Sequence, residues 1–242
     1  MSTPLRSWIE TRYQDSAAEL VATAEFAALE SGSAARDVYD QFIGNVVRSH
    51  LKSPKILAFL YAVAPPAASN DVLHNMLEEL GIEEEDGTSH PDLLVHVLTG
   101  AGLGAWLPEL DDKATEDMRQ IIVDPLLYGS LKDVGLAVLV ETVAYEWMLS
   151  RTASRISRFL STHRGLEGAA LAWFDHHSEV DIQHAEEGLD SLEKYAAYYG
   201  YDRAEVETIV EMTLRENVFI KRYFGELTFA RTEAIGGLTG AS

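Results

Sequence analysis

Apolar residues recur at three- and four-residue spacing along almost the whole chain, and clean two-residue alternation is nearly absent. That pattern predicts helices throughout. The first runs from about Pro4 to Glu30, with a break inside it, and closes at Ser31-Gly32-Ser33. A second covers about Ala34 to Val63 and ends before Pro65 and Pro66, whose rings block further helix. A third spans Ser69 to Leu80 with Gly81 as its C-cap, and a fourth spans His90 to about Ala101. AGLGAWLPEL reads as a turn region, after which a fifth helix runs from Asp112 to about Val123, ahead of Pro125. The sixth is expected over Ser130 to Leu160, the seventh over Leu166 to Tyr199, and the eighth over Asp202 to about Phe229, N-capped by Asp202. Residues from about 232 to 242 are expected to fray. No repeat or low-complexity linker interrupts the pattern, so the expectation is one all-α domain over residues 1–242, helix packed on helix around one core.

Composition narrows the function. The 242 residues are 47% hydrophobic and 24% charged, an ordinary globular balance. A formal net charge of −20 argues against nucleic acid and anionic membrane as partners, since both need clustered Lys and Arg. There is no cysteine, which removes disulfides, thiolate metal sites and cysteine nucleophiles. The opening MSTPLRSWIETRYQD lacks the apolar central run of a signal peptide. The most apolar stretch, GLAVLVETVAYEWML, is too short and too charged to span a bilayer. A soluble, cytoplasmic protein is expected.

Three segments carry candidate chemistry. In HHSEVDIQHAEE (residues 176–187), His177, Asp181 and His184 stand at i, i+4 and i+7, on one narrow helical stripe. Ala170, Phe174 and Gly188 continue that stripe, so it is expected to face inward, where two imidazoles and a carboxylate need a partner. Such a set suits iron, manganese or zinc. The competing reading is an acidic surface helix. GLAVLVETVAYEWML is apolar nearly all round and should lie centrally, which makes Glu141 and Glu146 anomalous. Either they pair with a buried Arg151 or Arg155, or one is a metal ligand. In the third segment Glu78 and Glu79 end a helix and His90 opens the next, while Glu83, Glu84, Glu85 and Asp86 between them are expected to be solvated.

Other signatures are missing. GAGLG follows no strand, so it is a turn and not a dinucleotide loop, and neither a Walker A sequence nor HExxH occurs. There is no ExxH, which excludes the paired Glu-x-x-His site of ferritin-like bundles. His50, His74, His96, His163 and His176 have no readable context and are taken as surface or core residues. The YAAYYGY run reads as core and helix-end packing.

Taken together, the three segments resemble one family, the haem-oxygenase-like di-metal oxidases related to the TenA and PqqC proteins. The order of parts carries the likeness: NMLEELG and then SHPDLLVHVLTGAGL, next VETVAYEWM, and last HSEVDIQH, an H-x-x-x-D-x-x-H pattern beginning at His177. It covers nearly the whole chain. The resemblance implies a haem-oxygenase-like bundle and six metal ligands: Glu79, His90, Glu146, His177, Asp181 and His184. Glu78 and Glu141 are the alternatives if the register differs. It further implies two Fe(II) ions, with Mn as the alternative metal, and O₂ as co-substrate for a non-haem di-iron oxidase or oxygenase. Its substrate would be a small fatty acid, amino acid or amine. One branch builds aminobenzoate from a central-helix lysine, and this chain has no lysine between Lys132 and Lys194, which argues against that branch.

Relatives supply the alternatives. A TenA-type thiaminase would need a cysteine, and a haem oxygenase would need a proximal His in its first helix and a Gly-rich distal helix, neither of which is present. A PqqC-like cofactor-independent oxidase and a non-catalytic helical binding protein with a structural metal stay open. The expected partners are a small-molecule substrate, an electron donor of unknown identity and, as an open alternative, a second copy of the chain. The substrate pocket is expected around Tyr145 and Phe174, and its apolar character points to a fatty or hydrophobic amino acid.

Overall fold

The structure, a computed structural model, describes residues 4–83 and 87–225, and within these all side chains except those of residues 179–183. Among the described residues every regular element is helical, in agreement with the sequence pattern. The first predicted helix is two helices, α1 (Leu5–Ala22) and α2 (Ala24–Ser31). They part at Thr23, whose backbone is extended and whose hydroxyl accepts from the Phe26 amide at 3.1 Å, an N-cap.

The second predicted helix is also two, α3 (Arg36–His50) and α4 (Ser53–Val63), where the sequence suggested one continuous rod. Pro54 in the first turn of α4 explains the break. Its ring fits a helix start but would remove a bond in a helix interior. This break has a functional consequence, because it turns His50, Lys52 and Ser53 into the wall of one cavity.

Next come α5 (Ser69–Glu79), α6 (His90–Gly100) and α7 (Leu107–Met118). The expected start of α7 at Asp112 is corrected: Pro108 occupies its first turn, so part of the supposed turn region is helical. Beyond Met118 the helix widens into a π turn at Arg119–Val123 and runs on as α8 (Asp124–Leu126), past the predicted stop. Pro125 stands in the first turn of α8, directly after the π turn. A long α9 (Leu131–Phe159) is followed by a second π turn (Leu160–Arg164) that ends at Gly165 in the left-handed region, φ 72°. α10 (Ala172–Tyr199) begins later than Leu166, after a short 3₁₀ turn at Gly168–Ala170.

α11 (Arg203–Thr213) opens with a full capping box between Asp202 and Glu205, as the N-cap expectation for Asp202 required. It does not continue to Phe229. Glu216 and Asn217 have φ of 61° and 49°, so the chain breaks there and resumes as helix over residues 218–225. Positions 226–229 and the expected frayed tail lie outside the described residues.

α9 and α10 form the spine. Gly135 faces Tyr195, Val143 faces Gly188, and the Ser157 hydroxyl donates to Asp175, so the two helices run antiparallel. α1, α2, α4 and α11 pack around α9. The tyrosines of YAAYYGY fasten the far end: Tyr195 donates to the Lys132 carbonyl at 3.0 Å and Tyr199 to the Val63 carbonyl at 2.9 Å.

Gly188 sets how closely the spine packs. A Cβ there would lie 2.6 Å from Val143 Cγ2, 2.9 Å from Cγ1 and 3.3 Å from Cβ, so no Val143 rotamer would make room. Alanine would gain about 1 kcal/mol of helix propensity. Forcing the helices apart costs about 1–3 kcal/mol, so the clash should dominate. Gly188→Ala is therefore expected to lower stability in urea unfolding; an unchanged or raised midpoint would show that α9 and α10 do not meet this closely.

Candidate metal centre

Four helices deliver the titratable groups to the spine. Glu78 and Glu79 end α5, His90 opens α6, Glu141 and Glu146 lie mid-way along α9, and His176, His177 and His184 lie on α10. The α5–α6 connection folds tightly back on itself. Gly81 has φ 72°, and a Cβ there would lie 2.7 Å from the Thr88 carbonyl carbon and 2.8 Å from the Ser89 nitrogen. The Ser89 hydroxyl caps α6 by accepting from the Asp92 amide at 3.2 Å. The result brings His90 back over Glu79, with Nδ1 2.9 Å from Oε1.

Glu79, His90 and His177 form the first cluster, with one ligand atom from each lying within 4.8 Å of the others. His90 and His177 are almost fully buried, at 2% and 4% exposure. His177 Nδ1 lies 2.6 Å from the Trp173 carbonyl. A carbonyl only accepts, so Nδ1 carries the proton and Nε2 presents its lone pair, the tautomer a metal needs. The Trp173 ring packs on the His177 imidazole at 4.1 Å between centroids and fixes its plane. The Ser53 hydroxyl donates to Glu79 Oε2, leaving Oε1 for the histidine side.

A second cluster lies beside it. His184 Nε2 is 2.6 Å from Glu78 Oε2, and His74 Nε2 is 3.6 Å from Glu78 Oε1. Glu146 accepts from Asn75 Nδ2 at 2.7 Å. Glu79, Glu146, His177 and His184 line one cavity of about 90 Å³, which continues past Tyr145.

The charges follow from these contacts. Burial alone would push the Glu79 carboxyl up, but the adjacent His90 imidazole and the hydrogen bond from Ser53 outweigh it and hold it below the usual range. The hydrogen bond with His184 lowers Glu78. Glu146 is raised by burial, which the nearby His184 only partly offsets. Burial pushes His177 well below the ordinary imidazole value, with the His90 charge adding to the effect. A divalent cation among these groups would favour every ionised carboxylate and every neutral imidazole.

Of the six residues in the implied ligand set, the structure brings Glu79, His90 and His177 together and sets Glu146 and His184 in the same cavity. The Asp181 side chain lies outside the described residues; its backbone belongs to α10. Of the alternatives, Glu78 sits against His184, whereas Glu141 turns the other way and meets Arg222 at 3.3 Å. The expected arginine partners are elsewhere: Arg151 stacks over Trp147 and Arg155 pairs with Glu30.

One other expectation is corrected. Phe174 does not line the cavity but is fully buried edge-on to Trp173, because α10 is covered on more than one face. Of the acids expected to be solvated, Glu83 is exposed, where it pairs with the exposed His74, and residues 84–86 lie outside the described residues. Three histidines without readable context also belong here. His74 and Glu78 stand at i and i+4 on α5, a spacing that was visible. His176 Nε2 comes to 3.1 Å of His90 Nε2, a contact that exists only because α6 packs on α10. His50 lines the cavity and meets the Tyr223 hydroxyl at 2.8 Å.

The family model described as an iron-containing redox enzyme matches residues 40–215, a stretch that includes every candidate ligand. The chain belongs to this family of iron-containing redox enzymes. It is the haem-oxygenase-like family that the three-part pattern resembles, and membership makes redox chemistry the protein's business. No curated protein matches the chain in sequence. Among the described residues no helix is long and apolar enough to cross a membrane.

His50 offers a direct check on the environment of the site. Burial lowers its pKa to about 4, a tendency that the Glu79 charge opposes. Its folded value lies below the unfolded one of about 6.5, so its neutral form contributes stability that is complete above that pH. The contribution is lost as pH falls towards 4. An NMR titration of the metal-free protein is expected to give a His50 midpoint near 4; a midpoint above 6 would contradict the enclosure described.

Proposed function

We propose that this chain is a non-haem di-iron oxidase or oxygenase that uses O₂ to oxidise a small organic substrate held in the cavity. One observation carries the reading: Glu79, His90 and His177 lie close enough to share one ion, and Glu79 and His177 line one cavity together with Glu146 and His184, the latter paired with Glu78. Glu79, His90 and His177 would hold one ion. His184 and Glu146, with Glu78 beside them, would hold the other. Asp181, from the α10 turn between His177 and His184, would complete the expected set.

The residues fit this cofactor. Imidazole and carboxylate donors suit divalent iron, with manganese as the alternative, and the carboxylates offset most of the metal charge. His177 is already held in the ligating tautomer by the Trp173 carbonyl. Bound iron would supply the redox chemistry with O₂. The chain's own part is to hold the donors, exclude bulk water and orient one substrate bond. Leu57, Val138 and Leu149 give the cavity apolar walls, and Tyr145 narrows it.

Metal analysis after expression in iron-supplemented medium tests the reading, with about two irons per chain expected. His177→Ala and Asp181→Ala should each lose metal while keeping their helicity by circular dichroism. Stoichiometric metal retained in both variants would reject the ligand assignment. A natural chain without metal would favour the cofactor-independent oxidase, and one tightly held zinc would favour a structural role.

A further inference from the structure

The cavity has a second polar end, and the metal reading does not use it. Arg48 on α3, Asp117 on α7, Glu141 on α9 and Arg222 on the helix over residues 218–225 meet there. These four residues line both the buried cavity and an outer groove that also carries Arg215, Glu216 and Lys221. They form the partition between solvent and site. In a chain of net charge −20, four cations against three acids make this entrance locally positive. The π turn of residues 119–123, an irregularity common at functional sites, supplies Ile121 to the same partition.

The two arginines are used differently. Arg48 grips Asp117 through Nε and Nη2 at 2.7 and 2.8 Å, a complete fork. Arg222 has five N–H donors. Among the described residues its polar contacts are one 3.3 Å hydrogen bond to Glu141 and one 3.7 Å approach to Asp117. Arg222 therefore keeps most of its capacity at the cavity wall, and the group it now touches is a carboxylate.

We propose that Arg222 is the substrate anchor and selects an organic acid, binding its carboxylate at the cavity mouth while the apolar body points to the metal clusters. Glu141 holds the anchor until substrate arrives. Burial raises the Glu141 carboxyl, so it takes a proton readily when a second carboxylate comes close. Ile56, Leu57, Val138 and Leu149 between the two ends suit an alkyl or similarly apolar body. A carboxylate can take the place of Glu141 on the Arg222 guanidinium, which an amine cannot do. Arg222 itself lies beyond residues 40–215, whereas Arg48, Asp117 and Glu141 lie within them.

The inference rests on the proposed redox reading but is testable apart from it. Octanoate, octylamine and octanol are titrated calorimetrically into the full chain without O₂, and the iron content of each sample is measured. Octanoate is expected to bind, with the amine and the alcohol weaker by at least about tenfold, the effect of one charge-assisted hydrogen-bonded pair. Arg222→Gln should weaken octanoate by about 10–100-fold, and Arg222→Lys should recover part of the loss. Glu141→Gln removes the competing carboxylate and should bind octanoate at least as tightly as the natural chain. This arm stays readable if Arg222→Gln fails to fold. Arg222-dependent octanoate binding in iron-free samples would uphold the anchor and count against the redox reading. Equal octanoate affinity in folded Arg222→Gln, octylamine binding as tightly as octanoate, or weaker binding by Glu141→Gln would each overturn the proposal.

Discussion

A carboxylate or an imidazole taken out of water must find a partner of opposite character, because an unmatched buried charge costs more than a small domain can spare. The α9–α10 interface places Glu146, His177 and His184 in that position, and α5 and α6 add Glu79 and His90. The rest of the structure is arranged to make this arrangement bearable. Gly188 and Gly135 let the two long helices approach, Gly81 folds His90 onto Glu79, and Pro54 breaks the chain so that Ser53 reaches Glu79. Hydrogen bonds from Asn75, Ser53 and the His177 ring satisfy atoms on the outer side of the clusters. What is left unsatisfied by apolar packing points inward, towards one small cavity.

Much of this was legible in sequence, for physical reasons. The inward stripe of α10 follows from helical periodicity, and the buried character of α9 follows from its near-continuous apolar run, so His177, Asp181 and His184, and both Glu141 and Glu146, stand out as anomalies in the sequence. The order of the three segments then singled out Glu79 and His90. Local chemistry misled where a helix start looks like helix continuation: Pro54 and Pro108 open helices, and a periodic pattern does not distinguish that from a rod or a turn. His50 and His176 were illegible, because each becomes part of the site only through a neighbour from a distant segment. Arg222 was hidden in the same way, since the break at Glu216 and Asn217 turns the last helix back over the cavity mouth.

The two ends of the cavity divide the work. Near the spine, groups that favour a cation are held rigid by buried rings and backbone carbonyls. At the mouth, a loosely engaged guanidinium stands between solvent and interior. The first end lies within residues 40–215, the stretch that the family model matches, whereas Arg222 at the second end lies beyond it. The proposed function would place the iron chemistry at the spine, and the proposed anchor would place discrimination among substrates at the mouth.

The central claim is that the buried groups converge on two cations. Anomalous diffraction from crystals of the iron-loaded protein, recorded on both sides of the iron absorption edge, tests it most directly. The account predicts two iron peaks per chain, one among Glu79, His90 and His177 and one beside Glu146 and His184. An absence of peaks at these groups, or iron bound only on the exterior, would contradict it.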